Sequence, residues 1–126
     1  MLSGVQTDLT DEELYVTDSR GITTKADSKE EVWISNALRD LKKKFYFQYN
    51  LFGGRTKGGL LVDWVVYPGP VAVEFKGGYW HTGRNSAYDI IREAKIKQVF
   101  RRLVIYDNMQ ITSEKAARDH IRKDFQ

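Results

Sequence analysis

The stretch Leu60–Gly78, LLVDWVVYPGPVAVEFKGG, constrains the fold more than any other part of the chain. A run rich in Val, Leu, Trp and Tyr, then Pro-Gly-Pro, then a second apolar run, reads as two β-strands joined by a turn. If Tyr67 pairs with Pro70, Asp63 lies directly opposite Glu74, and residues so paired hold their Cβ atoms roughly 4.5–5.5 Å apart. Tyr67-Pro68-Gly69-Pro70 is not one of the two-residue turns that pin a hairpin, so the turn alone leaves this register open. Glu74 and Lys76 are two residues apart and share a face. Two carboxylates and an ammonium then meet on one patch of an otherwise apolar sheet. Carboxylates that close repel unless a cation or a shared proton intervenes. A divalent metal held by oxygens is the simplest remedy, and Mg²⁺ typically takes one or two carboxylates plus substrate phosphates.

The remaining segments supply the partners such a hairpin needs. Residues 1–27 are polar and read as an N-terminal arm or a small hairpin, with Leu14–Val16 and Ile22–Thr24 flanking a turn. Ser28 and Glu31 fit a capping box that opens a helix running to about Lys44, its apolar side formed by Val32, Ile34, Ala37, Leu38 and Leu41. Phe45–Leu51 reads as a strand and 53–59 as a flexible basic loop. Ala87–Phe100 reads as a helix with Ile90, Ile91, Ala94, Val99 and Phe100 inward, and Arg102–Tyr106 as a buried strand. Thr112 or Ser113 caps a last helix packed through Ala116, Ala117, Ile121 and Phe125. The order is α-β-β-β-α-β-α. The expected class is therefore α/β, one domain over 28–126 with a mixed central sheet flanked by helices.

At 126 residues the chain suits one domain with a real core. The formal net charge of +3 permits an anionic partner without requiring one. The absence of cysteine excludes disulfides and thiolate metal sites, so any metal rests on oxygen or on one of two histidines. No apolar run reaches the roughly 20 residues that span a bilayer. The acidic start lacks a signal peptide's pattern, and the expectation is no membrane partner and a cytoplasmic location.

Hydrolysis of a phosphodiester needs an activated water, a neutralised phosphorane and a stabilised leaving oxygen, all of which a carboxylate-held metal supplies. Asp63 and Glu74 offer hard oxygens, and the Phe75 carbonyl between the active side chains offers another. Lys76 would orient or deprotonate the water and offset negative charge. The competing reading makes Asp63, Glu74 and Lys76 a metal-free cross-strand ion cluster. Lys42-Lys43-Lys44 reads as a solvated helix end. Arg55 and Lys57, set among glycines, suit phosphate contact better, with Arg84 beside them. Tyr79 and Trp80 suit base stacking and core packing about equally. Trp33 and Trp64 read as packing residues.

Asp63 followed after a hairpin by Glu74-Phe75-Lys76 resembles the signature of the PD-(D/E)XK, or restriction-endonuclease-like, nuclease superfamily. The pattern is closest to the very short patch repair endonucleases and the small proteins grouped with them. The matching residues are Ser28 and Glu31, Leu38-Arg39, Phe45 and Gln48, Val62-Asp63-Trp64, and Val73-Glu74-Phe75-Lys76-Gly77-Gly78 with His81. Many of the small relatives carry Asp where this chain has Lys76, which returns it to the older nuclease pattern. The resemblance covers about Ser28 to Phe125. It implies a metal-dependent DNA endonuclease using Mg²⁺ or Mn²⁺, held by Asp63, Glu74 and the Phe75 carbonyl. It also implies that Glu31 binds a second metal or its waters, rather than serving only the cap. By the same resemblance His81 contacts phosphate or moves a proton, rather than being a backbone-bonded loop histidine. With no room for a separate recognition domain, specificity rests on loops, on a homodimer or on DNA structure. Such a domain suits a phage or mobile element. The alternative is a non-catalytic nucleic-acid-binding or structural protein that keeps the nuclease fold.

Overall fold

A computed structural model describes residues 14–51, 60–77 and 87–126. The elements are β1 (Tyr15–Thr17), β2 (Thr23–Lys25), α1 (Lys29–Asp40), β3 (Lys44–Leu51), β4 (Leu60–Tyr67), β5 (Val71–Lys76), α2 (Ala87–Val99), β6 (Arg102–Asp107) and α3 (Glu114–Phe125). β1 and β2 form an antiparallel hairpin. The main sheet has the order β3-β4-β5-β6, antiparallel up to β5 and parallel between β5 and β6. From α1 onward this is the expected α/β order with a mixed sheet. The hairpin register places Trp64 opposite Val73, Val65 opposite Ala72 and Val66 opposite Val71, the offset that sets Asp63 against Glu74. In the turn, Gly69 sits at φ 151, where an added Cβ would lie 2.8 Å from the Val71 nitrogen. Only glycine passes there.

Helix α1 starts and stops by local chemistry. Ser28 caps it by accepting from the Glu31 amide at 3.3 Å. It ends at Asp40, short of the expected Lys44, because Lys42 takes a left-handed backbone at φ 60. The Lys42 and Lys43 amides then donate to Arg39 and Leu38 carbonyls at 2.9 Å, the paired bonds that close a helix in a Schellman motif. Ser113 caps α3 through the Ala116 amide.

The sheet is apolar on both faces. Val32, Ile34 and Leu38 of α1, and Ala117 and Ile121 of α3, pack with Phe45, Phe47, Trp64, Val66 and Val73. Ile96 and Phe100, at and just beyond the end of α2, pack with Leu51, Leu60, Val62, Val65 and Ala72. These lists contain a break in alternation. Phe47 and Trp64 belong to one face, whereas Tyr49 and Val62, two residues further along each strand, belong to the other. Between them lie Gln48, at φ 52, and Asp63. Both strands therefore swap faces at the Gln48–Asp63 level without losing register.

Two expectations are corrected. Helix α2 is turned away from the expected side: Ile90, Ile91 and Val99 are exposed, and Ile96 and Phe100 are buried. The inward side has to accommodate Arg92, which a purely apolar pattern would place outside. Strand β6 is a sheet edge and mostly half-buried, with Tyr106 its buried residue, rather than a strand covered on both sides.

The opposite edge, β3, is shielded by the β1–β2 turn. The Phe45 amide donates to Ser19 Oγ and the Phe47 amide to Asp18 Oδ2, each at 2.9 Å. Asp18 is buried, which would raise its carboxyl. Hydrogen bonds from the Arg20 side chain and from the Phe47 and Arg20 amides outweigh burial and hold it below the usual range.

Candidate active site

Asp63 and Glu74 are joined reciprocally. The Asp63 amide donates to Glu74 Oε2, and the Phe75 amide donates to Asp63 Oδ2, both at 2.9 Å. Each acid takes a backbone hydrogen at the point where the β4–β5 ladder would otherwise continue. Glu74 is 2% exposed, so its charge needs a partner. Arg92 of α2 provides one: a guanidinium nitrogen lies 2.6 Å from Glu74 Oε1, and a second donates to the Leu61 carbonyl. A lone arginine on a helix has no sequence signature, and Arg92 is the site residue that sequence reasoning missed.

Glu31 joins the same neighbourhood from α1. The Trp64 indole donates to Ser35 Oγ at 2.9 Å, and Ser35 donates to the Glu31 carbonyl at 2.8 Å. This chain ties the first turn of α1 to the strand position beside Asp63. The Glu31 carboxylate accepts from the Asp27 amide at 2.9 Å, not from Ser28, so the capping box is shifted by one residue. Glu31 is buried, and burial together with the charges of Asp27, Glu30 and Glu74 pushes it up to about 7, against the pull of the Asp27 amide. Burial, then the charge of Glu74, and then that of Glu31 raise Asp63 well above the ordinary carboxylate range. The Phe75 amide and Arg92 offset this in part. Three acids thus share one poorly solvated region, with negative charge in excess of the local compensation.

Lys76 ends β5, half-buried and in register with Asp107 of β6. His81, Arg55, Lys57, Tyr79, Trp80 and Arg84 lie outside the described residues. Trp64 is a core residue, as expected, and Trp33 packs against the core with Lys29 over its ring.

Among the described residues, no three His, Cys, Asp or Glu side chains gather closely enough to enclose a metal ion. The donor chemistry still fits one. Mg²⁺ keeps several waters and is satisfied by one or two carboxylates. A carboxylate has about four lone-pair sites, and the recorded bonds of Glu74 use two. Among the described residues no helix is long and apolar enough to cross a membrane. Comparison with protein families, with curated proteins and with solved structures finds no match to this chain.

Proposed function

We propose that the chain is a metal-dependent nuclease of the restriction-endonuclease-like kind that hydrolyses DNA phosphodiesters at Asp63, Glu74 and Lys76. The observation that carries this reading is the reciprocal Asp63–Glu74 pair in a buried setting where the charge of Glu74 raises Asp63. Two hard oxygen donors held in register, with a lysine two residues along the same strand, are the minimum for the chemistry. Asp63, Glu74 and the Phe75 carbonyl would hold Mg²⁺ or Mn²⁺. Bound there, the ion would supply Lewis acidity toward the phosphate and acidify a water.

The chain's own groups do the rest. The Asp63 amide fixes the Glu74 carboxylate, and the Phe75 amide fixes that of Asp63, so neither has to be ordered when substrate arrives. Lys76 holds or takes the proton of the attacking water and opposes charge on the phosphorane. Glu31, near neutrality in its titration, accepts a proton or orients a water.

The second reading is a nucleic-acid-binding or structural protein in which the acids form a static network. The 2.6 Å Arg92–Glu74 ion pair favours it, since the protein already supplies one cation to that carboxylate. Incubating supercoiled plasmid with the purified protein separates the two. Nicking that requires Mg²⁺ or Mn²⁺ and stops in EDTA supports the nuclease. Intact plasmid with either metal supports the static network.

A further inference from the structure

We propose that the end of the sheet remote from the carboxylates is a second contact for nucleic acid: a cleft that grips several backbone phosphates. Identifying the polyanion as nucleic acid rests on the reading above. The cleft begins where α1 ends and β3 starts, in a depression of about 410 Å³ bordered by Arg39, Lys42, Lys43 and Lys44. A second depression, of about 220 Å³, shares Lys43 and adds Tyr67 and Arg102. A third, of about 260 Å³, shares Arg102 and adds Arg101. Neighbouring depressions share lining residues, and the second and third border the β4–β5 turn at Pro68. Nine residues of helical rise, roughly 14 Å, separate Glu31 from Asp40 at the end of α1, and Lys42 lies beyond it, so this is not the carboxylate site.

Half of the six cations here are oriented by neutral groups. Arg39 donates to the Thr17 carbonyl at 2.6 Å and to Asn36 Oδ1 at 3.0 Å. Arg102 donates to the Asp124 carbonyl at 2.8 Å and lies over the Phe125 ring. Lys44 sits over the Tyr46 and Tyr67 rings at 5.6 and 5.2 Å. Neutral groups therefore position three of the six, and among the described residues none of the six is ion-paired to a carboxylate. Two acids border the clefts: Asp18 is paired with Arg20, and Asp124 accepts from the neutral Tyr106 hydroxyl and keeps its charge, so one acid opposes the six cations. Six cations against two bordering acids, spread over depressions that share lining residues, suit a chain of phosphates better than one anion, because each phosphate bound releases its counterions.

The test is fluorescence anisotropy with a labelled DNA duplex, in EDTA so that nothing is cut, across a salt series. The variant Lys42→Gly/Lys43→Ala/Arg101→Ala is compared with the charge-matched control Lys25→Ala/Lys97→Ala/Lys115→Ala. Lys42→Gly also suits the left-handed backbone there and adds no strain. The cleft variant is expected to lose about 2–3 from the slope of log K against log salt, at about 0.9 per phosphate contact, while the control loses less than one. Equal slopes in the two variants would overturn the proposal. Unlabelled duplex and heparin should displace the probe, and inorganic phosphate at matched ionic strength should not. Displacement by phosphate alone would make this a single-anion pocket and would also overturn it. Because binding is read without metal, a protein that binds through the cleft yet never nicks plasmid sinks only the nuclease reading. Metal-dependent nicking with equal salt slopes sinks only the cleft.

Discussion

The backbone amide of Asp63 donates to Glu74 Oε2 at 2.9 Å, so the strand carrying one acid uses its main chain to hold the other. Being a main-chain bond, it does not depend on the Asp63 carboxylate. It also brings two carboxylates together where water is scarce, and that has a measurable cost.

Folding should be pH-dependent in a direction set by the raised acids. A carboxyl whose folded pKa lies above its unfolded value contributes stability that is fully present below the unfolded pKa. That stability is lost as pH rises through the folded one. Glu31 and Asp63 are both raised, so the melting temperature in EDTA should fall between about pH 5 and pH 8. Asp63→Asn keeps an oxygen for the Phe75 amide and removes the charge. At pH 8 it should melt higher than wild type by about 2–6 °C, and at pH 4 the difference should vanish. Equal melting temperatures for variant and wild type at pH 8 would show that the charge costs nothing.

Arg92 should be the costliest surface-proximal residue to remove. Its partner Glu74 has a side chain only 3% exposed, so Arg92→Gln leaves a carboxylate buried without its cation. Urea unfolding should show a loss of about 3–5 kcal/mol. Glu74→Gln in the same chain should restore much of it, because the stranded charge is gone. Simple additivity of the two single changes would show that the pair is not coupled.

The kink at Gln48 yields a sign opposite to strand propensity. A side chain at φ 52 is strained, and branching at Cβ makes it worse. Gln48→Val should destabilise by about 1–3 kcal/mol, and Gln48→Gly should be neutral or stabilising. A more stable Val variant, as strand preference alone would give, would contradict the observed swap of faces.

The hairpin was legible because two apolar runs flank a Pro-Gly-Pro turn, whereas the turn left its register open; Asp63 against Glu74 followed only on the pairing of Tyr67 with Pro70, whose offset the strands keep. The Ser28 cap was legible because its bond is local, but the returning bond from Glu31 goes to the Asp27 amide instead of that of Ser28. Other features were set by contacts distant in sequence. Helix α2 carries apolar residues on several sides, and only the buried ion pair from Arg92 to Glu74 fixes which side turns inward. The early stop of α1 depends on a lysine adopting a conformation usually left to glycine. The anchoring of the Glu31 backbone beside the sheet runs through the Trp64–Ser35 tie, which joins residues 29 positions apart.

Lys42 offers a separate check on the closure of α1. Replacing it with glycine removes the side-chain strain at φ 60 and keeps both closing hydrogen bonds. The urea midpoint should rise by the equivalent of about 0.5–1 kcal/mol. A lowered midpoint would mean that the lysine side chain contributes more than its backbone costs.

The most direct measurement is the single-turnover nicking rate of supercoiled plasmid in Mg²⁺, for wild type, Asp63→Asn, Lys76→Ala and Lys76→Arg, each first shown to be folded. Wild type should cut. Asp63→Asn and Lys76→Ala should be slower by roughly 100-fold or more, the first by weakening the metal site and the second by losing interactions made only in the transition state. Lys76→Ala should still bind DNA as wild type does. Lys76→Arg should rescue poorly, because a guanidinium keeps the charge but cannot readily give up a proton. Cutting by Asp63→Asn and Lys76→Ala at the wild-type rate, or no cutting by wild type in either Mg²⁺ or Mn²⁺, would contradict a catalytic centre at these residues.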